Sequence, residues 1–128
     1  MDEISFGIFI TIDSPSEAVD ILNDLLSRGI IKELRGLPDN TDDVDEFYCD
    51  VLTQGDIISG SYEARPHLPD DMGEKGLVFR RGTRYNQIYS LNEFRGIGVG
   101  IEVLADLAED IEQKTSLDAD IYIDRIVN

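Results

Sequence analysis

Cationic side chains are scarce in this chain. Of 128 residues only 11 are Lys or Arg, against 27 Asp or Glu, and the formal net charge is -16. Phosphate binding draws its affinity from clustered Lys and Arg that release counterions, so a simple duplex-DNA or RNA binder is excluded. A single Cys excludes an intrachain disulfide and any multi-Cys zinc site. A single His excludes His-pair metal motifs such as HExxH. Long apolar runs are missing too: none approaches the ~20 residues that span a bilayer. Asp2 and Glu3 stand where a signal peptide carries positive charge. Asp2 also follows Met1 where myristoylation needs Gly, and there is no CaaX tail. The expectation is a cytoplasmic protein with no membrane partner and no direct nucleic-acid partner.

What is present fits one folded domain over 1–128. Hydrophobic residues make up 41% and charged residues 30%, a globular balance and not a disordered one. Ile4, Phe6, Ile8, Ile10 and Ile12 recur with period two and predict a strand. Ser14-Pro15-Ser16-Glu17 then opens a helix, with Ser14 as the cap, Pro15 at the first position and Glu17 completing a capping box. Its apolar stripe is Ala18, Ile21, Leu22, Leu25 and Leu26, and Gly29 ends it. Strands are predicted over 30–37, 46–53 and 57–64, with a hairpin about Gln54-Gly55-Asp56 and an Asn- and Asp-rich loop at 38–45. A second hairpin is expected from 77–81 and 84–91. A helix at about 99–114 carries Val99, Val103, Leu104, Leu107 and Ile111, and a strand over 118–127 points Ile121 and Ile123 inward. The order predicts an α+β domain, a ferredoxin-like βαβ…βαβ sheet with extra central strands and two helices on one face. That architecture carries no function by itself.

The charge is uneven. Residues 1–71 hold a net of -13, 72–100 a net of +3 and 101–128 a net of -6. On the two predicted helices Asp20 and Asp24, and then Glu102, Asp106, Glu109 and Asp110, leave the apolar stripes and crowd the outer faces. Like charges at i,i+4 repel by a few tenths of a kcal/mol. Solubility is one explanation of such a surface. Halophile usage is another, suggested by 17 Asp to 10 Glu and only three Lys but not by 16 Ile against five Ala. A third is a surface that meets a cationic protein, since complementary potentials speed encounter.

Several features suggest chemistry, each with a plainer structural meaning. Asp39 to Asp45 offers oxygen ligands, yet Val44 stands where a calcium loop needs Gly, so it reads as an Asp-rich turn. Gly96-Ile97-Gly98-Val99-Gly100 precedes a helix but lacks phosphate-loop spacing, and Glu102 would repel an anion. Arg80, Arg81 and Arg84, near Tyr85 and Tyr89, form the one basic cluster; it is either a weak anion site or internal counter-charge for the protein's own acids. His67 has no partner motif for a triad. Alternation puts Phe47, Cys49 and Val51 on one side, making Cys49 a buried, inert thiol. No catalytic residue, metal ligand or cofactor site is assigned.

In size, acidity and lack of catalytic motif the chain is similar to bacterial immunity and antitoxin-like inhibitors, a likeness of composition that covers no motif. It implies neutralisation of a basic, toxin-like protein such as a nuclease, with Asp20, Asp24, Glu102, Asp106, Glu109 and Asp110 as contacts. A second class is a small regulatory or ligand-binding module that uses Tyr62, Tyr85 and Tyr89 on the sheet face away from the helices. A third is a carboxylate-based or metal-dependent enzyme.

Overall fold

The computed structural model describes residues 3–54, 56–66, 75–81 and 97–127; the side chains of 3–5, 81, 97–102 and 123–127 lie outside the description. The elements run β1 (Glu3–Thr11), α1 (Pro15–Ser27), β2 (Glu33–Arg35), β3 (Phe47–Thr53), β4 (Asp56–Glu63), β5 (Gly76–Arg81), α2 (Ile97–Lys114) and β6 (Asp120–Val127). Six strands form one antiparallel sheet in the order β2-β3-β4-β5-β1-β6. The fold is α+β, as the patterning predicts. The expected strand over 84–91, with Tyr85, Tyr89 and Arg84, falls outside the described residues, as does His67.

Local chemistry sets the ends of α1. The Ser14 hydroxyl accepts from the Glu17 amide at 3.2 Å, and Pro15 occupies the first helical turn. The Glu17 carboxylate accepts from the Asp13 amide, one residue earlier than a standard capping box requires. At the other end Gly29 has φ +75°. Its amide reaches the Leu26 carbonyl at 3.1 Å, and the Ile30 amide reaches the Leu25 carbonyl at 3.0 Å. This is a Schellman motif, and Ile30 buries its side chain behind it. The motif explains why β2 is three residues long and not eight. Ile30 and Ile31 turn their amides to the Leu25 carbonyl, so neither joins the sheet, and Gly36 at φ +85° ends the strand.

One core lies between the helices and one face of the sheet. Ala18, Leu22 and Leu25 of α1 and Leu104, Leu107 and Ile111 of α2 share a cluster with Ile8, Ile10, Val51, Ile58 and Leu77. Both helices therefore cover the same face. Tyr62 belongs to that face: it pairs across the ladder with Phe47, stacks on it with ring centroids 6.3 Å apart, and is buried. The expectation that Tyr62 lines the opposite face is corrected. Its register partner Phe47 points to the helices, and paired residues share a face.

The opposite face carries a second, small cluster of Phe9, Val78 and Tyr122. The Tyr122 ring lies over Gly7, where a Cβ would stand 2.7 Å from ring carbons. Ile121 pairs with Ile8 and so faces the helix side as expected, yet it is 42% exposed, while Tyr122 on the other face is buried. Among the described residues strand β6 pairs only with β1, and here the residue with a glycine opposite finds the better cover. Ile123 has no described side chain.

Candidate functional site

The acids singled out on α2 do not lie on a uniformly solvated stripe. Asp106, Glu109 and Asp110 line a cleft of about 390 Å³. Spacings of three and four residues put these three carboxylates on one helical face. Across the cleft stand Gly29 and Ile30 from the α1 cap, Lys32 ahead of β2, and Thr53 and Gln54 where β3 ends. Val103 and Leu107 add apolar lining from α2. The Lys32 amide donates to the Leu52 carbonyl at 2.8 Å, fixing this segment to the end of β3.

The sequence folds this way because α2 must bury Leu104, Leu107 and Ile111 against the sheet. With those residues inward, Asp106 and Glu109 are exposed and Asp110 is half-buried. Asp110 meets Lys114 at 3.7 Å, with both side chains roughly half exposed, an arrangement that contributes little binding energy. The Glu109 carboxylate accepts from the Gln113 amide at 3.0 Å. No ion pair among the described residues joins Lys32 to these carboxylates, although it shares their cleft. The negative wall is therefore only partly neutralised from within. Nor do three acidic, His or Cys side chains converge as a metal cage among the described residues.

The remaining acids are placed differently. Asp24 pairs with Arg28 at 2.8 Å, and Arg28 also donates through Nη1 to the Lys114 carbonyl at 2.8 Å. This guanidinium joins the C-terminal ends of both helices, and it supplies a donor to a carbonyl that the helix leaves unpaired. Asp20 is exposed and lies outside the cleft lining. Glu102 lies on α2, with its side chain outside the description. The structure thus gathers Asp106, Glu109 and Asp110, ties Asp24 to the helix ends, and leaves Asp20 apart.

The basic cluster does not present Arg80 as an open cation. Arg80 pairs with Glu63 on the sheet face away from the helices, and both side chains are largely buried. The Ser61 hydroxyl donates to Glu63 Oε2 at 2.7 Å and accepts from Arg80 at 3.4 Å. Of the other two arginines, Arg81 has no described side chain and Arg84 is outside the described residues. Cys49 is buried; burial, and then the neighbouring Asp50 charge, push its thiol up to about 11. A thiol so placed stays protonated and unreactive at neutral pH.

Sequence reasoning did not find Lys32, Thr53 or Gln54. Nothing in their local pattern marks them, because only the antiparallel return of β3 beside the α1 cap brings them to α2. Arg28 was legible through its i,i+4 spacing from Asp24, but its reach to the Lys114 carbonyl, 86 residues on, was not.

No protein-family model, no curated protein and no solved structure matches the chain. No helix among the described residues is long and apolar enough to cross a membrane. Among the described residues the architecture is α+β, a six-stranded antiparallel sheet with two helices on one face.

Proposed function

We propose that this is an acidic binding protein that neutralises a basic protein partner, in the manner of an immunity protein or antitoxin, and that it acts without catalysis or cofactor. The observation that carries the reading is the gathering of Asp106, Glu109 and Asp110 along one cleft with incomplete internal neutralisation. Their position adds weight. Glu109 and Asp110 sit in the last turns of α2, the negative end of the helix dipole, where carboxylates are unfavourable. Carboxylates placed against the local preference of the helix suit a surface kept for a cationic partner. A nuclease is the natural target class, because its substrate site is basic and carboxylates can take phosphate positions.

The architecture reads as an enlarged ferredoxin-like sheet. In support, β1 lies between β5 and β6, and each helix links two strands that are not neighbours. The cytoplasm is the compartment where such a partner would be held.

Association kinetics with a panel of basic proteins, ribonucleases included, test the reading. The association rate for a true partner falls steeply between 20 and about 200 mM salt, while dissociation changes less. Binding that ignores salt, or no binding to any basic protein, contradicts it.

A further inference from the structure

A strand that ends a sheet leaves a row of backbone N–H and C=O groups for another chain to join. Among the described residues β2 and β6 end this sheet. Strand β2 limits the row by its length, three residues followed by Gly36 at φ +85°. Strand β6 runs for eight residues, Asp120–Val127, with neither proline nor lysine among them, so shortness does not protect it. Ile121 on this strand is 42% exposed.

Strand β6 has a different device. Ser5 stands opposite Arg125 and Phe6 opposite Ile123, so Asp124 is an extra residue with no register partner on β1. Such a bulge bends its strand and sharpens the local twist. The apolar pattern does not need it. Ile121, Ile123 and Ile126 stand opposite Ile8, Phe6 and Ile4. Without Asp124, residues 120–123 and 125–127 would keep their partners in an unbroken ladder from Phe9 to Glu3. The extra residue therefore serves neither the alternation nor the pairing with β1.

We infer that the Asp124 bulge keeps β6 from joining β6 of a second copy of this chain, a property independent of the proposed binding of basic proteins. Self-pairing is the case the position suits. In a two-fold antiparallel pairing of the whole strand the centre falls between Ile123 and Asp124. Both bulges and both Asp124 positions then meet at mid-strand, where the ladder is broken and like charges stand close to one another. The net charge of -16 also opposes association. That repulsion fades with salt, whereas a break in the ladder does not.

Light scattering over a dilution series tests this at about 0.5 M sodium chloride, where the screening length is roughly 4 Å. The parent chain stays monomeric. The variant lacking Asp124 doubles in mass at the concentrated end and reverts on dilution. Adding Ile121→Lys to the deletion restores the monomer, because lysine on a terminal strand opposes pairing. Asp124→Asn, which keeps the extra residue, stays monomeric. A deletion variant that is folded and monomeric at every concentration overturns the inference. So does Asp124→Asn dimerising as readily as the deletion, or a dimer that Ile121→Lys leaves intact. Amide hydrogen exchange of the parent chain gives a readout that does not need the deletion to fold. Within β6 the amides bonded to β1 exchange slowly and the alternate ones quickly. Protection of every β6 amide in the monomer means that the strand is already covered, and overturns the inference as well.

Discussion

At Cys49 burial and a neighbouring charge act in the same direction. The thiol rises from its ordinary 9.0 to about 11, first through desolvation and then through Asp50. Below pH 9 both folded and unfolded chains hold the proton, and the contribution to stability is fully present. As pH climbs from 9 toward 11 the unfolded chain ionises and the folded chain does not, so stability is lost, by on the order of 2 kcal/mol. Tyr62, raised by burial and then by Asp13, Glu17 and Asp45, adds a loss of the same sign at higher pH. Urea denaturation between pH 8 and 10.5 should show a steep alkaline decline that Cys49→Ala makes shallower; parallel curves would contradict the assignment. Gly7 makes a second residue-scale prediction. A Cβ there meets the Tyr122 ring at 2.7 Å, so Gly7→Ala should destabilise by about 1–3 kcal/mol in the same assay, the usual cost of overpacking.

The helices show which parts of the structure were legible in the sequence. Ser14, Pro15, Glu17 and Gly29 specify α1 through bonds within a few residues, and each stands in the predicted position. Strands β3 and β4 announce themselves by alternation to within a residue. Legibility fails where a contact is non-local. The span predicted as β2 contains Ile30 and Ile31, whose apolar character belongs to the helix cap and the core and not to the ladder. Tyr62 was assigned to a face that only cross-strand register decides. The candidate site was half legible: helical spacing marked its acidic wall, while Lys32, Thr53 and Gln54 arrive from the far side by topology alone.

Two predictions belong to the elements themselves. Arg28→Ala removes the Asp24 pair and the donor to the Lys114 carbonyl. It should cost about 1 kcal/mol, the ordinary worth of a hydrogen bond of this kind. Arg28→Lys should recover less than half, because a single ammonium lacks the fork that serves both partners. Thermal melting of the three proteins decides it. On α2 the sign reverses. Asp106→Asn with Glu109→Gln relieves repulsion along the helix and the adverse dipole, and should raise free-protein stability by a few tenths of a kcal/mol per site. A fall in melting temperature would mean that these carboxylates serve the fold.

For the whole molecule, the excess of 16 negative charges is the dominant long-range fact. Self-repulsion lowers the stability of the compact state, and screening relieves it. The melting temperature should therefore rise on adding sodium chloride to about 0.5 M; ion-pair dominance would give a fall. Four ion pairs appear among the described residues, and three of them have both partners roughly half exposed. Those three hold little of the fold together, and the acidic surplus remains. That surplus matters for function only if it is local.

Calorimetric titration of a basic partner against two variants of equal net charge tests locality most directly. One carries Asp106→Asn, Glu109→Gln and Asp110→Asn; the other carries Asp39→Asn, Asp42→Asn and Asp43→Asn. The account predicts that the α2 variant loses at least tenfold in affinity while the loop variant binds as the parent does. Equal losses in the two would show that only total charge counts, and that the acidic cleft is not a docking site.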